Sequence, residues 1–145
     1  MVDAAVREWM LGCDGGARGN PGPAALGYVL VDPEGREIEA RGEYIGSATN
    51  NVAEYRALIA GLEAATRHGV ERLAVSMDSE LVVRQMTGQY RVKNHGLKPL
   101  HAEARRVLDG IPQVRFASVR RESNVHADRL VNEALDRYLG SESPR

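Results

Sequence analysis

The first third of the chain carries three short apolar runs that are separated by turn-forming residues. The runs cover residues 8–14, 25–31 and 36–45, and Gly, Pro, Asn and Asp are frequent in the breaks between them. Short runs that end in such residues are typical of β-strands. The pattern therefore predicts three strands in an antiparallel meander.

The middle of the chain changes to helical spacing. Apolar residues over positions 52–65 recur every three to four residues until Gly69, which predicts a long amphipathic helix with a glycine stop. A short apolar strand over Leu73–Met77 then runs into Asp78, and helical spacing resumes after it. We therefore place a strand-to-helix junction at Asp78.

The last third predicts two more helices and one more strand. Residues 87–97 are polar and basic, and Pro99 suits the first turn of a helix. A strand is expected over 114–119 and a closing helix over 127–138. The order is βββαβααβα, in which crossover helices add parallel strands to the meander. We expect an α/β fold with a five-stranded mixed sheet, three strands antiparallel and two parallel, flanked by helices.

Length and composition indicate one globular domain. Of the 145 residues, 43% are hydrophobic and 27% are charged, which is ordinary for such a domain. We expect a single domain over residues 1–140 and a flexible tail over 141–145. Neither a signal peptide nor a membrane span is visible, so we expect a cytoplasmic monomer without membrane contact. The single cysteine, Cys13, excludes an internal disulfide.

The net charge of −1 conceals an uneven distribution. Between Arg84 and Arg121 nine cationic residues face two anionic ones, so this segment carries +7 and the remainder −8. A basic segment beside an acidic body suits a protein that binds a polyanion and a metal. Solvated helix faces explain the same charges equally well.

Four carboxylates lie at the ends of predicted elements: Asp14, Glu54, Asp78 and Asp128. Each has a structural interpretation, because carboxylates often cap helices or complement their dipoles. Asn51 and Glu54 have the spacing of a capping box, for example. Taken together, the strands ending at Asp14 and Asp78 are expected to be neighbours, and the other two carboxylates lie on helix flanks that can face the same edge.

Such a crowd of carboxylates implies bound cations, because the uncompensated charges repel. Oxygen ligands without thiolate suit Mg²⁺ or Mn²⁺. Two such ions about 4 Å apart would support phosphodiester hydrolysis. A calcium ion held for stability is the structural alternative, although it does not explain the basic segment.

The chain resembles type 1 ribonucleases H from Asp14 through the last helix. The motifs that carry the resemblance are Asp14–Ala24, Thr49–Leu58, Asp78-Ser79 and Ala127-Asp128. The resemblance implies an endonuclease that hydrolyses the RNA strand of RNA/DNA hybrids, nearly independently of sequence. It also implies that Asp14, Glu54, Asp78 and Asp128 are catalytic and bind two ions, Mg²⁺ or Mn²⁺.

Substrate contacts are expected from two loops. By resemblance Asn20, Asn50 and Asn51 contact the hybrid. The backbone of Gly15 and Gly16 can approach RNA sugars closely, and only the 2′-hydroxyl distinguishes RNA from DNA at a given position.

Two departures from the family pattern affect the expected binding surface. Arg121 stands where many bacterial members have a loop histidine; a guanidinium holds phosphate but shuttles no proton at neutral pH. This pattern resembles the archaeal-like branch, whose actinobacterial members include fusions to phosphatase domains. The usual basic protrusion is missing between Met86 and Pro99. Phosphate contacts from this segment can partly replace it, with Lys93 and Lys98 as the expected binding residues beside Tyr90, Arg91 and Asn94, and a solvated loop is the alternative interpretation.

Two alternatives stay open at this point. Another metal-dependent polynucleotidyl transferase of the same fold would share the acidic residues but not the substrate. A noncatalytic hybrid-binding module would normally have lost one of the four carboxylates.

Overall fold

A computed structural model describes residues 6–142, whose strands form one mixed sheet in the order β3-β2-β1-β4-β5. The first three strands are antiparallel, and β4 and β5 run parallel to β1. No helix of these residues is long and apolar enough to cross a membrane. The strands are β1 (Trp9–Ala17), β2 (Gly22–Val31), β3 (Glu37–Ala48), β4 (Arg72–Met77) and β5 (Gln113–Ser118).

Within residues 6–142, four α-helices and one short 3-10 helix (Arg121–Ser123) connect or follow the strands. The predicted order of elements and the mixed sheet are confirmed. The predicted tail, residues 141–145, begins within the last helix, and residues 143–145 lie outside the described part. The helices are α1 (Asn50–Arg67), α2 (Glu80–Met86), α3 (Lys98–Leu108) and α4 (Val125–Glu142).

Strand β1 is longer than its apolar run predicts. We expected it to end at Asp14, but antiparallel pairing with β2 continues to Ala17, which lies opposite Ala24. The amide of Arg18 then donates to the carbonyl oxygen of Pro23 (2.8 Å) and closes the turn. Glycines and alanines in this stretch hid the strand, since they carry little hydrophobic signal. As a result Asp14 lies within a paired strand rather than at its end.

The two faces of the sheet are covered by different helices. Successive side chains of a strand point to opposite faces, and Leu26, Tyr28 and Leu30 of β2 join the main core beneath α1. Ala25 of β2 instead packs in a second cluster with α4, whose residues there are Val131, Ala134 and Leu135. The sheet is therefore sandwiched near β1 and β2, where the acidic residues lie.

Helix α1 approaches β1 closely enough to require glycine on both elements. A Cβ atom on Gly61 of α1 would lie 2.9 Å from the Leu11 side chain and 3.0 Å from Cys13 Sγ. A Cβ atom on Gly15 of β1 would lie 2.2 Å from the backbone of Ala53. The contact at Gly15 holds the start of α1, and the contact at Gly61 holds its middle, against the strand that carries Asp14.

We expect Gly61→Ala to destabilise the protein. Overpacking of a core costs about 1–3 kcal/mol, which exceeds the roughly 1 kcal/mol that alanine contributes over glycine in a helix. Urea unfolding measures the difference. Gly140→Ala in α4 is the matched control, because a Cβ atom there meets no atom within 4 Å; it should not lower stability. Equal stabilities for both variants would contradict the close packing of α1.

Candidate active site

The parallel register of β1 and β4 brings Asp14 and Asp78 together. Cys13 lies opposite Met77 in the sheet, and each acidic residue directly follows one member of this pair. Asp14, on β1, and Asp78, directly after β4, therefore lie side by side. The expectation that these strands are neighbours is confirmed.

Glu54 reaches the same place from the second turn of α1. Its Oε1 accepts a hydrogen bond from the backbone N–H of Gly15 (2.5 Å). Carboxylate oxygens of Asp14, Glu54 and Asp78 all lie within 4.8 Å of one another. Asp14 and Glu54 are buried, whereas Asp78 is partly exposed.

Hydroxyl groups, rather than the acidic residues, cap the two helices beside the cluster. The Thr49 side chain accepts from the amide of Val52 at the start of α1 (3.2 Å), and the Ser79 side chain accepts from the amide of Val82 at the start of α2 (3.3 Å). The capping interpretation is therefore wrong for Asn51 with Glu54, and for Asp78. The carboxylates of Glu54 and Asp78 therefore do not cap these helices and are available to bind a ligand.

Asp128 lies in the first turn of α4 and lines the same cavity as the other three. It lies outside the group of oxygens within 4.8 Å, but its charge and a hydrogen bond with it help to raise the pKa of Asp14. Asn132, one turn along, donates to its backbone carbonyl (3.1 Å). All four sequence-predicted carboxylates thus meet at one cavity.

The cluster is electrostatically strained. Burial, followed by the charge of Asp78, raises the pKa of Asp14 well above its ordinary value. Burial, followed by the charges of Asp14 and Asp78, raises the pKa of Glu54. The thiol of Cys13, which lies beneath them and is fully buried, also has a raised pKa, first from burial and then from Glu54 and Asp14.

The donor set fits a hard divalent cation. Its oxygens are close enough to share an ion. The pKa values of Asp14 and Glu54 are raised, first by burial and then by the neighbouring carboxylates, so a bound cation would favour their charged forms. Among the described residues, one ion pair reaches Asp14, Glu54 or Asp78. It joins Arg121 Nε to Asp78 Oδ2 at 3.8 Å, and the Arg121 side chain is 79% exposed. Asp14, Glu54 and Asp78 are the residues that could hold an ion, with Asp128 beside them.

The carboxylates lie at the base of an open cavity of about 830 Å³. Four of the sequence-predicted substrate-binding residues line it together with Arg121: Gly15, Gly16, Asn50 and Asn51. Asn20 lies next to this group, since its Oδ1 accepts from the amide of Asn50 (3.0 Å). Lys93 and Lys98 are exposed but do not line the cavity.

Sequence reasoning missed Arg18, which lines the cavity from the α4 side. Its guanidinium lies 2.7 Å from Asp136 Oδ1 and donates to Asn132 Oδ1 (3.4 Å). Arg18 belongs to the glycine-rich motif, which was a usable signal. Its partners are more than 100 residues away on α4, and nothing local in the sequence indicates them.

A mixed five-stranded sheet with carboxylates gathered where Asp14 of β1 lies beside Asp78, directly after β4, defines the ribonuclease H-like class of α/β proteins. A family model described as reverse transcriptase-like matches residues 12–134. The solved structure of LC11-RNase H1 in complex with an RNA/DNA hybrid is 45% identical, with a TM-score of 0.85, and the match covers 90% of this chain and 99% of that one. The chain belongs to the ribonuclease H family.

Two curated relatives are longer than this chain. Ribonuclease HI of Halobacterium salinarum is 46% identical over 123 residues, which are 85% of this chain and 62% of that protein. A bifunctional protein of Mycobacterium tuberculosis is 46% identical over 124 residues, which are 85% of this chain and 34% of that protein. The chain therefore spans less than two thirds of the length of either relative.

We expect Asp14→Asn to stabilise the metal-free protein, because it removes one of the charges that repel in the cluster. In the presence of a chelator at pH 8 the melting temperature should rise by about 2–8 °C. This is the shift that a gain of about 1 kcal/mol in the free energy of unfolding produces. Added Mg²⁺ should stabilise the wild type more than the variant. Thermal unfolding followed by circular dichroism measures both effects.

Asp32→Asn is the matched control for this experiment, since Asp32 and Asp14 are both 6% exposed. Asp32 accepts hydrogen bonds from the amides of Glu34 (3.0 Å) and Arg36 (2.8 Å). Its substitution should therefore destabilise the protein. A loss of stability in both variants would show that the Asp14 carboxylate is not strained.

Proposed function

We propose that this chain is a ribonuclease H, an endonuclease that hydrolyses the RNA strand of RNA/DNA hybrids with the help of divalent cations. The observation that carries this proposal is the convergence of Asp14, Glu54 and Asp78 within 4.8 Å at the base of an open cavity. The 45% identity with a protein solved in complex with an RNA/DNA hybrid supports the substrate class.

The proposed cofactor is a pair of ions, Mg²⁺ or Mn²⁺, held by Asp14, Glu54, Asp78 and Asp128. Such ions, when bound, lower the pKa of an attacking water and stabilise the charge on the leaving oxygen. The chain itself supplies fixed ligands. The amide of Gly15 orients Glu54, and the caps at Thr49 and Ser79 leave the carboxylates of Glu54 and Asp78 for the ions.

The two loops around Asn20 and Asn50 are proposed to contact the RNA strand. Asn50 Oδ1 accepts from the amide of Ala17 (2.8 Å), so the NH₂ group is the part of this side chain that we assign to the RNA strand as a donor. Asn20 fixes the backbone of Asn50, and Asn51 lines the cavity one residue further along. With the backbone of Gly15 and Gly16, these groups can bind sugars and their 2′-hydroxyls without contacting bases.

Cations are proposed to bind the phosphates. Arg121 lies beside Asp78 with a mostly exposed side chain, so it can neutralise a phosphate next to the carboxylates. Lys93 and Lys98 are exposed outside the cavity, and we assign them to phosphates further along the hybrid. The salt dependence of binding should reflect each such contact.

The organisation of the whole protein is a further part of the proposal. We propose one nuclease domain over residues 1–140, which can occur fused to a phosphatase domain. The match to one third of a bifunctional relative supports the fusion, as does 43% identity with the N-terminal RNase H domain of that protein. A monomeric state and a cytoplasmic location stay predictions.

A cleavage assay separates the proposed activity from its alternatives. The purified chain is incubated with labelled hybrid, duplex RNA and duplex DNA, each with Mg²⁺ or Mn²⁺. We expect internal cuts in the RNA strand of the hybrid and none in duplex DNA. Cleavage of DNA would favour another polynucleotidyl transferase, and binding without cleavage would favour a noncatalytic module.

We expect Asp78→Asn to lower kcat on the hybrid by at least about 100-fold, which corresponds to about 2.7 kcal/mol of transition-state stabilisation. The amide keeps the size of the side chain but removes a ligand charge. Binding of the hybrid, measured by fluorescence anisotropy, should be largely retained. Asp109→Asn, an exposed residue after α3, is the control and should keep full activity. Full activity of Asp78→Asn would remove Asp78 from the mechanism.

We expect Arg121→Ala to weaken binding of the hybrid while Arg121→Lys restores part of it. The loss of one phosphate contact should reduce the slope of log Kd against log salt concentration by about 1. Arg106→Ala is the control, because this residue is 73% exposed and pairs with Glu103 on α3. An unchanged salt slope in Arg121→Ala would refute the phosphate contact.

A further inference from the structure

The buried amide of Asn124 lies between the two elements that carry Asp14 and Asp128. Its Nδ2 donates to the carbonyl oxygen of Cys13 at 2.8 Å, and the residue is only 6% exposed. The carbonyl of Cys13 belongs to the planar peptide group whose nitrogen is that of Asp14. This hydrogen bond therefore fixes the orientation of the peptide that leads into Asp14.

The backbone of Asn124 bonds the other element. Its carbonyl oxygen accepts from the amide of Asp128 (3.1 Å), in the first turn of α4. Its own amide donates to the carbonyl of Arg121 (2.9 Å), at the start of the 3-10 helix. A single residue thus joins β1, through its side chain, to the beginning of α4, through its main chain.

Strand β1 has a glycine, Gly12, where the side-chain amide of Asn124 packs against it. A Cβ atom on Gly12 would lie 3.1 Å from Asn124 Oδ1, a tighter approach than a side chain normally makes. Glycine at position 12 therefore permits the amide to seat against β1. Asn124 does not itself line the cavity, whereas Asp14 and Asp128 do.

We propose that Asn124 is a positioning residue of the metal site, one that holds Asp14 and Asp128 at the spacing that divalent cations require. This inference rests on the proposed function. Ligands for a cation must be held within about 0.5 Å of the productive geometry, and Asn124 is hydrogen-bonded to the backbone at both aspartates, through the carbonyl of Cys13 and the amide of Asp128. It acts through the two aspartates and does not touch the ion or the hybrid.

The test compares Asn124→Ala with Gln85→Ala. Gln85 is the matched control, because it is also a 6% exposed amide and also makes a buried hydrogen bond, from the hydroxyl of Tyr55 (2.6 Å). Binding of Mn²⁺ alone to the full chain, without nucleic acid, is measured by isothermal titration calorimetry below the melting temperature of each variant. The kcat and KM for the hybrid are measured over a range of Mg²⁺ concentrations.

Both variants should melt at a lower temperature than the wild type, since each loses a buried hydrogen bond. Only Asn124→Ala should bind Mn²⁺ about 10–100-fold more weakly, as expected when a group that supports metal ligands is removed. Its kcat should fall at low Mg²⁺ and recover at high Mg²⁺, with KM for the hybrid unchanged. Gly12→Ala, which displaces the amide only slightly, should weaken Mn²⁺ binding to a smaller extent and provides the test if Asn124→Ala does not fold.

Wild-type affinity for Mn²⁺ in Asn124→Ala or, if that variant does not fold, in Gly12→Ala would overturn the proposal. An equal loss of affinity in Gln85→Ala would also overturn it, because the effect would then be general destabilisation. The wild-type assay keeps the two proposals separate. If the wild type cuts no hybrid but Asn124→Ala alone weakens Mn²⁺ binding, the proposed activity fails and the positioning role of Asn124 stands.

Discussion

Burying like charges together costs free energy, and the remainder of the fold supplies the forces that keep three carboxylates within a few ångströms of one another. The parallel register of β1 and β4 aligns Asp14 with Asp78. The glycines at positions 15 and 61 allow α1 to pack closely on β1, which places Glu54 beside the two aspartates. Hydrophobic packing on both faces of the sheet stabilises this arrangement. The repulsion among the carboxylates is thus balanced by the packing of the core, and a bound cation would relieve it.

The order of elements and the acidic positions could be predicted from the sequence because their signals are local. Apolar periodicity identifies α1 and α4, and Asp14 and Asp78 each stand at the end of a recognisable apolar run. The rule that parallel strands end at a common edge then brings the two aspartates together without any knowledge of the structure. The approach of Glu54 also followed from its position on a helix flank that can face this edge, and Gly61 of the same helix packs against Leu11 and Cys13 of β1.

Contacts between distant segments could not be predicted in this way. The hydrogen bond from Asn124 to Cys13 joins residues 111 positions apart, and the carbonyl that accepts it has no sequence signature. The helix caps at Thr49 and Ser79 were not predicted for another reason. Asn51 with Glu54, and Asp78, lie next to them in the sequence and are also residue types that cap helices. The extension of β1 to Ala17 depends on pairing with β2 across a turn of glycines and prolines, where apolar periodicity gives no guidance.

Chemical labelling of Cys13 can be used to follow the opening of the core around β1. The thiol is fully buried, its pKa is raised by burial and then by the charges of Glu54 and Asp14, and it is the single cysteine of the chain. A thiol in these surroundings is unreactive, because only the thiolate attacks and reagent has no access. The thiol lies in the main core against Gly61 of α1, so its modification by a thiol reagent requires the packing of α1 on β1 to open. The labelling rate therefore measures how often this part of the core opens. The chain thus carries a built-in reporter one residue from Asp14.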